Sequence, residues 1–140
     1  MGAEDRVFVW TQRVGYADVD RMEFLHHSKY FVYFETARVE FLRSLGDSYK
    51  AWEDDGFYMP LLSAEASWRQ PGRYDDLLEI RARLSTLTRA RLSFAYEVLR
   101  PADGALIATA ATHHAYMGRD GRPRRLSPER FAMLEGWLAG

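Results

Sequence analysis

Two aspartates and two histidines stand together in Asp18-Val19-Asp20-Arg21-Met22-Glu23-Phe24-Leu25-His26-His27, directly ahead of a segment with the spacing of a long helix. A carboxylate placed there has two chemical uses: as a base that activates water, or as a nucleophile that attacks a carbonyl carbon itself. The start of the helix supplies the complementary half. Its first N–H groups lack intrahelical acceptors and its dipole is positive at that end, so amides near His27 and Ser28 are candidate donors to an oxyanion. An aspartate in a polar loop is also a common turn former or cap. Of the two, Asp18 reads as the structural hydrogen-bonder. His26-His27 has the residue type of a metal pair, but neighbours do not share a helix face and no third ligand is implied, so no metal is expected. His113 and His114 lie in a strand-like run and point to opposite faces, one toward core or interface and the other toward solvent. Arg69, Arg73, Arg89 and Arg91 read as solvated strand ends, or as guanidinium groups able to grip phosphate.

These residues depend on the elements around them. Val7 to Tyr16 mixes β-branched and aromatic residues and reads as a first strand. The spacing of Tyr30, Phe34, Ala37, Phe41 and Leu45 predicts a helix from about Ser28 to Leu45. Phe31, Val32 and Tyr33 widen its apolar surface, which implies burial on more than one side. Tyr30 belongs to the core and is also a candidate ligand contact. Glu35, Arg38, Glu40 and Arg43 decorate the remaining surface, with Glu35 and Arg38 spaced as a simple helix pair. Gly46 is the expected stop, and 47–60 reads as a second short helical or irregular stretch. Four strand-like runs follow. In three of them apolar and polar residues alternate, as in Leu62, Ala64, Ala66 and Trp68 against Ser63, Glu65 and Ser67, the mark of a half-buried sheet. Ala105 to Met117 is a longer run of small residues. A closing helix is expected from about Pro128 to Leu138, with Ser127 as its cap and Pro128 in its first position. The order of elements predicts an α+β fold: an antiparallel sheet of about five strands wrapped around one long helix, with a short C-terminal helix.

At 140 residues, 47% of them hydrophobic, the chain reads as one domain over 1–140 with enough apolar surface for a core. A net charge of −1 argues against nucleic acid or an anionic membrane as a bulk electrostatic partner. The absence of cysteine excludes disulfides, thiolate metal sites and cysteine nucleophiles. Met1-Gly2-Ala3-Glu4-Asp5 carries neither a basic start nor an apolar stretch, and no apolar run approaches a membrane span; a cytoplasmic protein is expected.

The run from Tyr16 through Asp18 and Asp20 to Tyr30, continuing as Tyr33-Phe34-Glu35-Thr36-Ala37-Arg38, is similar to the signature of the 4-hydroxybenzoyl-CoA thioesterase family, including its bacterial acyl-CoA thioesterase branch associated with the Tol-Pal system. Tyr74-Asp75-Asp76, Arg89-Ala90-Arg91-Leu92-Ser93 and Gly121-Arg122-Pro123-Arg124-Arg125-Leu126 extend the resemblance over nearly the whole chain. It implies a hotdog fold and hydrolysis of an acyl-CoA to free acid and CoA, without cofactor or metal. Asp20 would be the catalytic carboxylate. His27 matches the histidine that this branch carries ahead of its helix. On the residues' own chemistry, Tyr30, Glu23 and Ser28 are candidate substrate contacts, and Arg89 and Arg91 candidate contacts to the CoA phosphates. The resemblance also implies a homodimer or homotetramer with sites at subunit interfaces. Glu23 stands where the family usually has glycine, so its side chain is expected to intrude where the loop presses close to the acyl group. That departure favours the alternative of a non-catalytic acyl- or CoA-binding module on the same fold.

Overall fold

The structure, a computed structural model, describes residues 6–138; Met1–Asp5, read above as lacking a signal segment, lie outside the described residues. Its elements are strand β1 (Phe8–Arg13), helix α1 (His27–Ser44), helix α2 (Tyr49–Asp54), β2 (Phe57–Tyr58), β3 (Leu61–Trp68), β4 (Leu77–Leu87), β5 (Arg91–Arg100), β6 (Ala105–Ala115), β7 (Met117–Gly118) and helix α3 (Pro128–Glu135). Five strands form one antiparallel sheet in the order β1-β4-β5-β6-β3. The alternation in β4 and β5 is realised: Leu78, Ile80, Ala82 and Leu84, with Leu92, Phe94, Tyr96 and Val98, are buried. They close on α1, whose Phe34 ring stacks on Tyr96 at 4.4 Å and whose Phe41 ring meets Phe94 edge-on at 5.8 Å. Full burial of one such ring contributes roughly 1.5–3 kcal/mol. Phe8 of β1 reaches Phe41 from the far side of the sheet order, so the sheet curls around the helix in the hotdog manner. Among the described residues no helix is long and apolar enough to cross a membrane.

Local signals set the helix ends. α1 stops in a Schellman motif, with Gly46 N donating to Arg43 O at 3.1 Å, Asp47 N donating to Leu42 O at 3.2 Å, and Gly46 at φ 85°. Ser127 Oγ caps α3 by accepting from Arg130 N at 3.2 Å. α3 ends at Glu135 rather than at Leu138.

The structure corrects several expectations. β1 ends at Arg13, because Val14 N donates instead to Asp76 O and a single 3-10 turn takes Tyr16–Asp18. The long run Ala105 to Met117 divides: β6 stays in the main sheet, and β7 leaves it to pair with β2. Arg38 is not a surface decoration paired with Glu35. It is 9% exposed and its Nη1 donates to Tyr96 Oη at 3.0 Å. β3 is not half-buried: it is the sheet edge, and Leu61, Leu62 and Trp68 are 52%, 50% and 45% exposed. Its alternation is real, but among the described residues both faces are largely uncovered, apart from Trp68 meeting the rings of His27 and Tyr30.

Candidate active site

Asp20 begins a tight hairpin-like loop. Glu23 N donates to Asp20 O at 2.9 Å, Asp20 N donates to Phe24 O at 2.9 Å, and Val19 bridges to Leu25 on either side. Three residues thus lie between Asp20 and Phe24, and the third, Glu23, takes φ 67°. A turn followed by a left-handed residue is the geometry that favours glycine at that last position. The carboxylate reinforces the loop, because Asp20 Oδ1 accepts from Met22 N at 2.8 Å and from Phe24 N at 3.2 Å. Oδ2 accepts no hydrogen bond from any described residue. The loop is pinned from below by Leu25 N donating to Gly72 O at 2.7 Å. Gly72 allows this approach: a Cβ there would lie 3.3 Å from both Leu25 Cβ and Tyr30 Oη.

Asp18 is occupied differently. Its Oδ2 accepts from Tyr33 Oη at 2.6 Å, its Oδ1 lies 3.8 Å from Lys29 Nζ, and its backbone O accepts from His26 N at 2.9 Å. Burial, and then the neighbouring carboxylate, push the Tyr33 phenol up, so it stays protonated and donates. Asp18 fastens the loop to α1, while Asp20 keeps one oxygen uncommitted.

That oxygen belongs to a residue lining an open cleft of about 350 Å³, with Phe24, His27, Tyr30, Trp68 and Arg69 around it. The start of α1 forms one wall. Five of the six amides from Phe24 to Lys29 have an acceptor: Phe24 donates to Asp20 Oδ1, Leu25 to Gly72 O, His26 to Asp18 O, Ser28 to His26 Nδ1 at 3.2 Å, and Lys29 to His26 O. The His27 amide alone in this run has no acceptor among the described residues. Of the two candidate oxyanion donors, Ser28 is therefore taken by the cap and His27 is free. The His27 ring lies edge-on to Trp68 at 6.1 Å, and Tyr30 meets the same indole at 5.9 Å.

Residues 14–138 match the thioesterase-like superfamily. The chain belongs to that family. Within the thioesterase-like superfamily it is similar to a candidate esterase of Aquifex aeolicus, 38% identical over 107 residues that cover 76% of this chain and 82% of the relative. It is 28% identical over 93 residues to the acyl-CoA thioester hydrolase YbgC of Escherichia coli, covering 66% of this chain and 69% of that one. Its fold superposes on the DHNA-CoA thioesterase of Staphylococcus aureus with a TM-score of 0.88 at 23% identity, covering 93% of this chain and 89% of that one. The hotdog fold of this thioesterase-like chain thus places Asp20, His27 and Tyr30 around one cleft. Glu23 is exposed and does not line that cleft; its distinguishing feature is its backbone conformation. Ser28 is exposed, with its Oγ 2.8 Å from His26 Nδ1. Arg89 and Arg91 lie elsewhere. Arg89 Nε donates to Leu126 O at 2.9 Å, and Arg91 lines a groove of about 520 Å³ with Arg124 and Arg125. That groove adjoins Ala115, whereas Trp68 pairs with Ala108. At about 3.3 Å per residue Ala108 and Ala115 are roughly 23 Å apart along β6. Trp68, Phe24 and Gly72 were not singled out as site residues from the sequence. Trp68 reads there as one more apolar residue in an alternating strand, and only its place at the end of an uncovered edge brings it to the cleft.

Proposed function

We propose that the chain hydrolyses acyl-CoA thioesters to a free acid and CoA, with Asp20 as the carboxylate that drives attack. The observation that carries this reading is the division of labour within Asp20. Oδ1 is clamped by two amides while Oδ2 is uncommitted, and Asp20 lines a cleft together with His27, whose amide has no acceptor among the described residues. As a base, Oδ2 takes a proton from water as the hydroxide adds to the thioester carbonyl. The oxyanion formed meets the His27 N–H and the positive end of α1. The tetrahedral species collapses with cleavage of the C–S bond, and the thiolate leaves as CoA, taking up the proton. As a nucleophile, Oδ2 adds to the carbonyl directly and expels the thiolate, and water then cleaves the mixed anhydride. Both routes use the same two groups, and neither requires a strong general acid, since a thiolate leaves readily near neutral pH. His27, Tyr30 and Trp68 form the walls against which the acyl group would lie.

The CoA phosphates find their complement in the arginine groove of Arg91, Arg124 and Arg125, with Arg89 beside it. In one chain that groove is at the wrong end of the sheet. Pairing two copies edge to edge through β3, antiparallel, exchanges the ends: the Trp68 end of one strand adjoins the Leu61 end of the other. The uncovered edge with its exposed Leu61, Leu62 and Trp68 favours such pairing. A single-chain mass by sedimentation would remove that part of the reading. For the activity, thiol release is measured over short, long and aromatic acyl-CoAs. Turnover of at least one class is expected; no turnover together with tight CoA binding would favour a binding module instead.

A further inference from the structure

Between α1 and β6 lies a buried polar cluster that the reaction above does not use. Arg38 is 9% exposed and His114 is 1% exposed. Arg38 Nη1 donates to Tyr96 Oη at 3.0 Å, Tyr96 Oη and Thr112 Oγ1 are 2.7 Å apart, and Thr112 Oγ1 and His114 Nε2 are 2.9 Å apart. The direction of every proton in this chain follows from its first member. A guanidinium only donates, so the Tyr96 oxygen accepts and its hydrogen passes to Thr112. The Thr112 hydrogen then passes to His114 Nε2. Burial, and then the Arg38 charge, push the His114 ring down to about 4, so it is neutral and its one proton sits on Nδ1.

Two buried atoms are left without partners, and they are Arg38 Nε and His114 Nδ1. By the proton order above, both are donors. The Met59 backbone interacts with the ring and offsets part of the fall in its pKa. Arg38 makes no ion pair with a described residue, and Glu35, one turn before it on α1, is exposed. The cluster is thus a buried positive charge with two unpaired nitrogens and no ion-paired carboxylate among the described residues, an arrangement that costs free energy. Beside it is a cavity of about 460 Å³, lined by Arg38, Tyr49 and His114, by apolar Met59 and Leu61, and by the exposed Glu35 and Glu53. That volume suits a small molecule rather than a single water.

We propose that this cavity is a carboxylate-binding site in which Arg38 supplies the charge and His114 a neutral second donor. An acceptor-only anion with two oxygens meets what the cluster lacks, and the fork of an arginine suits it. The carboxylate has two sources. It is either a free acid or the far end of an acyl group whose thioester lies in the cleft of a paired copy. The second source rests on the paired reading given above, because the cavity opens beside Leu61, at the strand end that adjoins the other copy's Trp68.

The test begins with the parent protein and needs no variant. Adipate and hexanoate are titrated by calorimetry, and kcat/KM is compared for adipoyl-CoA and hexanoyl-CoA, which differ only at the far end. Binding of both free acids without a preference between the thioesters marks the free acid as the source. A preference for adipoyl-CoA of about tenfold to a hundredfold, the range of one charge-assisted hydrogen bond, marks the acyl end. In Arg38→Met the binding, or the preference ratio, should fall to background; Arg38→Lys, which keeps the charge but not the fork, should recover it in part. Absence of millimolar binding together with equal kcat/KM values overturns the proposal, whether or not the variants fold. If no thioester is hydrolysed, the hydrolase reading fails while the calorimetric arm still decides this one.

Discussion

Replacing Asp20 by asparagine separates the two jobs its carboxylate holds. The asparagine carbonyl oxygen can still accept from Met22 N and Phe24 N, the contacts now at 2.8 and 3.2 Å, so the loop keeps its shape. What changes is the strength of those bonds, from a charged to a neutral acceptor, a loss of about 1–2 kcal/mol in stability. The other oxygen becomes an amide nitrogen that neither takes a proton nor attacks carbon. Loss of a positioned base alone costs about 100- to 10,000-fold in kcat. The assay is colorimetric thiol release, and it is clean because the chain has no cysteine to react with the reagent. Asp20→Ala supplies the control. It leaves both amides unpaired, so a purely structural role predicts an inactive alanine variant beside an active asparagine variant. A chemical role predicts that both are inactive while Asp20→Asn remains folded by circular dichroism. An asparagine variant within about threefold of the parent on its best substrate would refute the assignment.

Other expectations follow from single residues. Glu23→Gly should leave the substrate range unchanged and be neutral to stabilising by up to about 1 kcal/mol in urea unfolding, since it relieves a left-handed conformation at φ 67°; an altered acyl-CoA profile would show that Glu23 does reach substrate. His114, at about 4 when folded against 6.5 as a free side chain, makes stability fall on acidification. Between those values the unfolded chain binds a proton that the folded chain does not, and the loss, complete below pH 4, is about 3 kcal/mol. Urea midpoints at pH 7 and 4.5 should converge less steeply in His114→Asn than in the parent, and equal pH slopes would contradict the burial of a neutral ring.

The parts of the fold legible in the sequence are those where one chain satisfies its own periodicity. The period of two in β4 and β5 names Ile80, Leu84, Phe94 and Tyr96 as core because α1 lies on that face, and Gly46 stops α1 because only the Schellman geometry pairs its last carbonyls. The candidate site was legible as far as Asp20, His27 and the helix start, which are contiguous in sequence. Trp68 and Gly72 were not, because long-range pairing brings them there. Leu25 N reaching Gly72 O leaves no mark on the spacing of either segment. β3 shows the same limit from the other side. Its alternation is as regular as that of β4, yet periodicity records which residues an apolar partner would cover and says nothing of whether that partner belongs to the same chain. Glu23 shows how a residue type misleads. A glycine in its place suggests room for a ligand, whereas the turn that follows Asp20 demands positive φ whatever lies above it. Arg38 is the sharpest case. On a helical wheel it joins Glu35 on a polar flank, and one turn of helix makes the pair look sufficient. The guanidinium instead crosses to the sheet, because Tyr96 Oη stands 3.0 Å away with a second hydrogen-bond partner behind it. A charge that abandons water and an exposed carboxylate for a phenol has made a poor exchange, and that imbalance is the physical reason to look for an anion beside it.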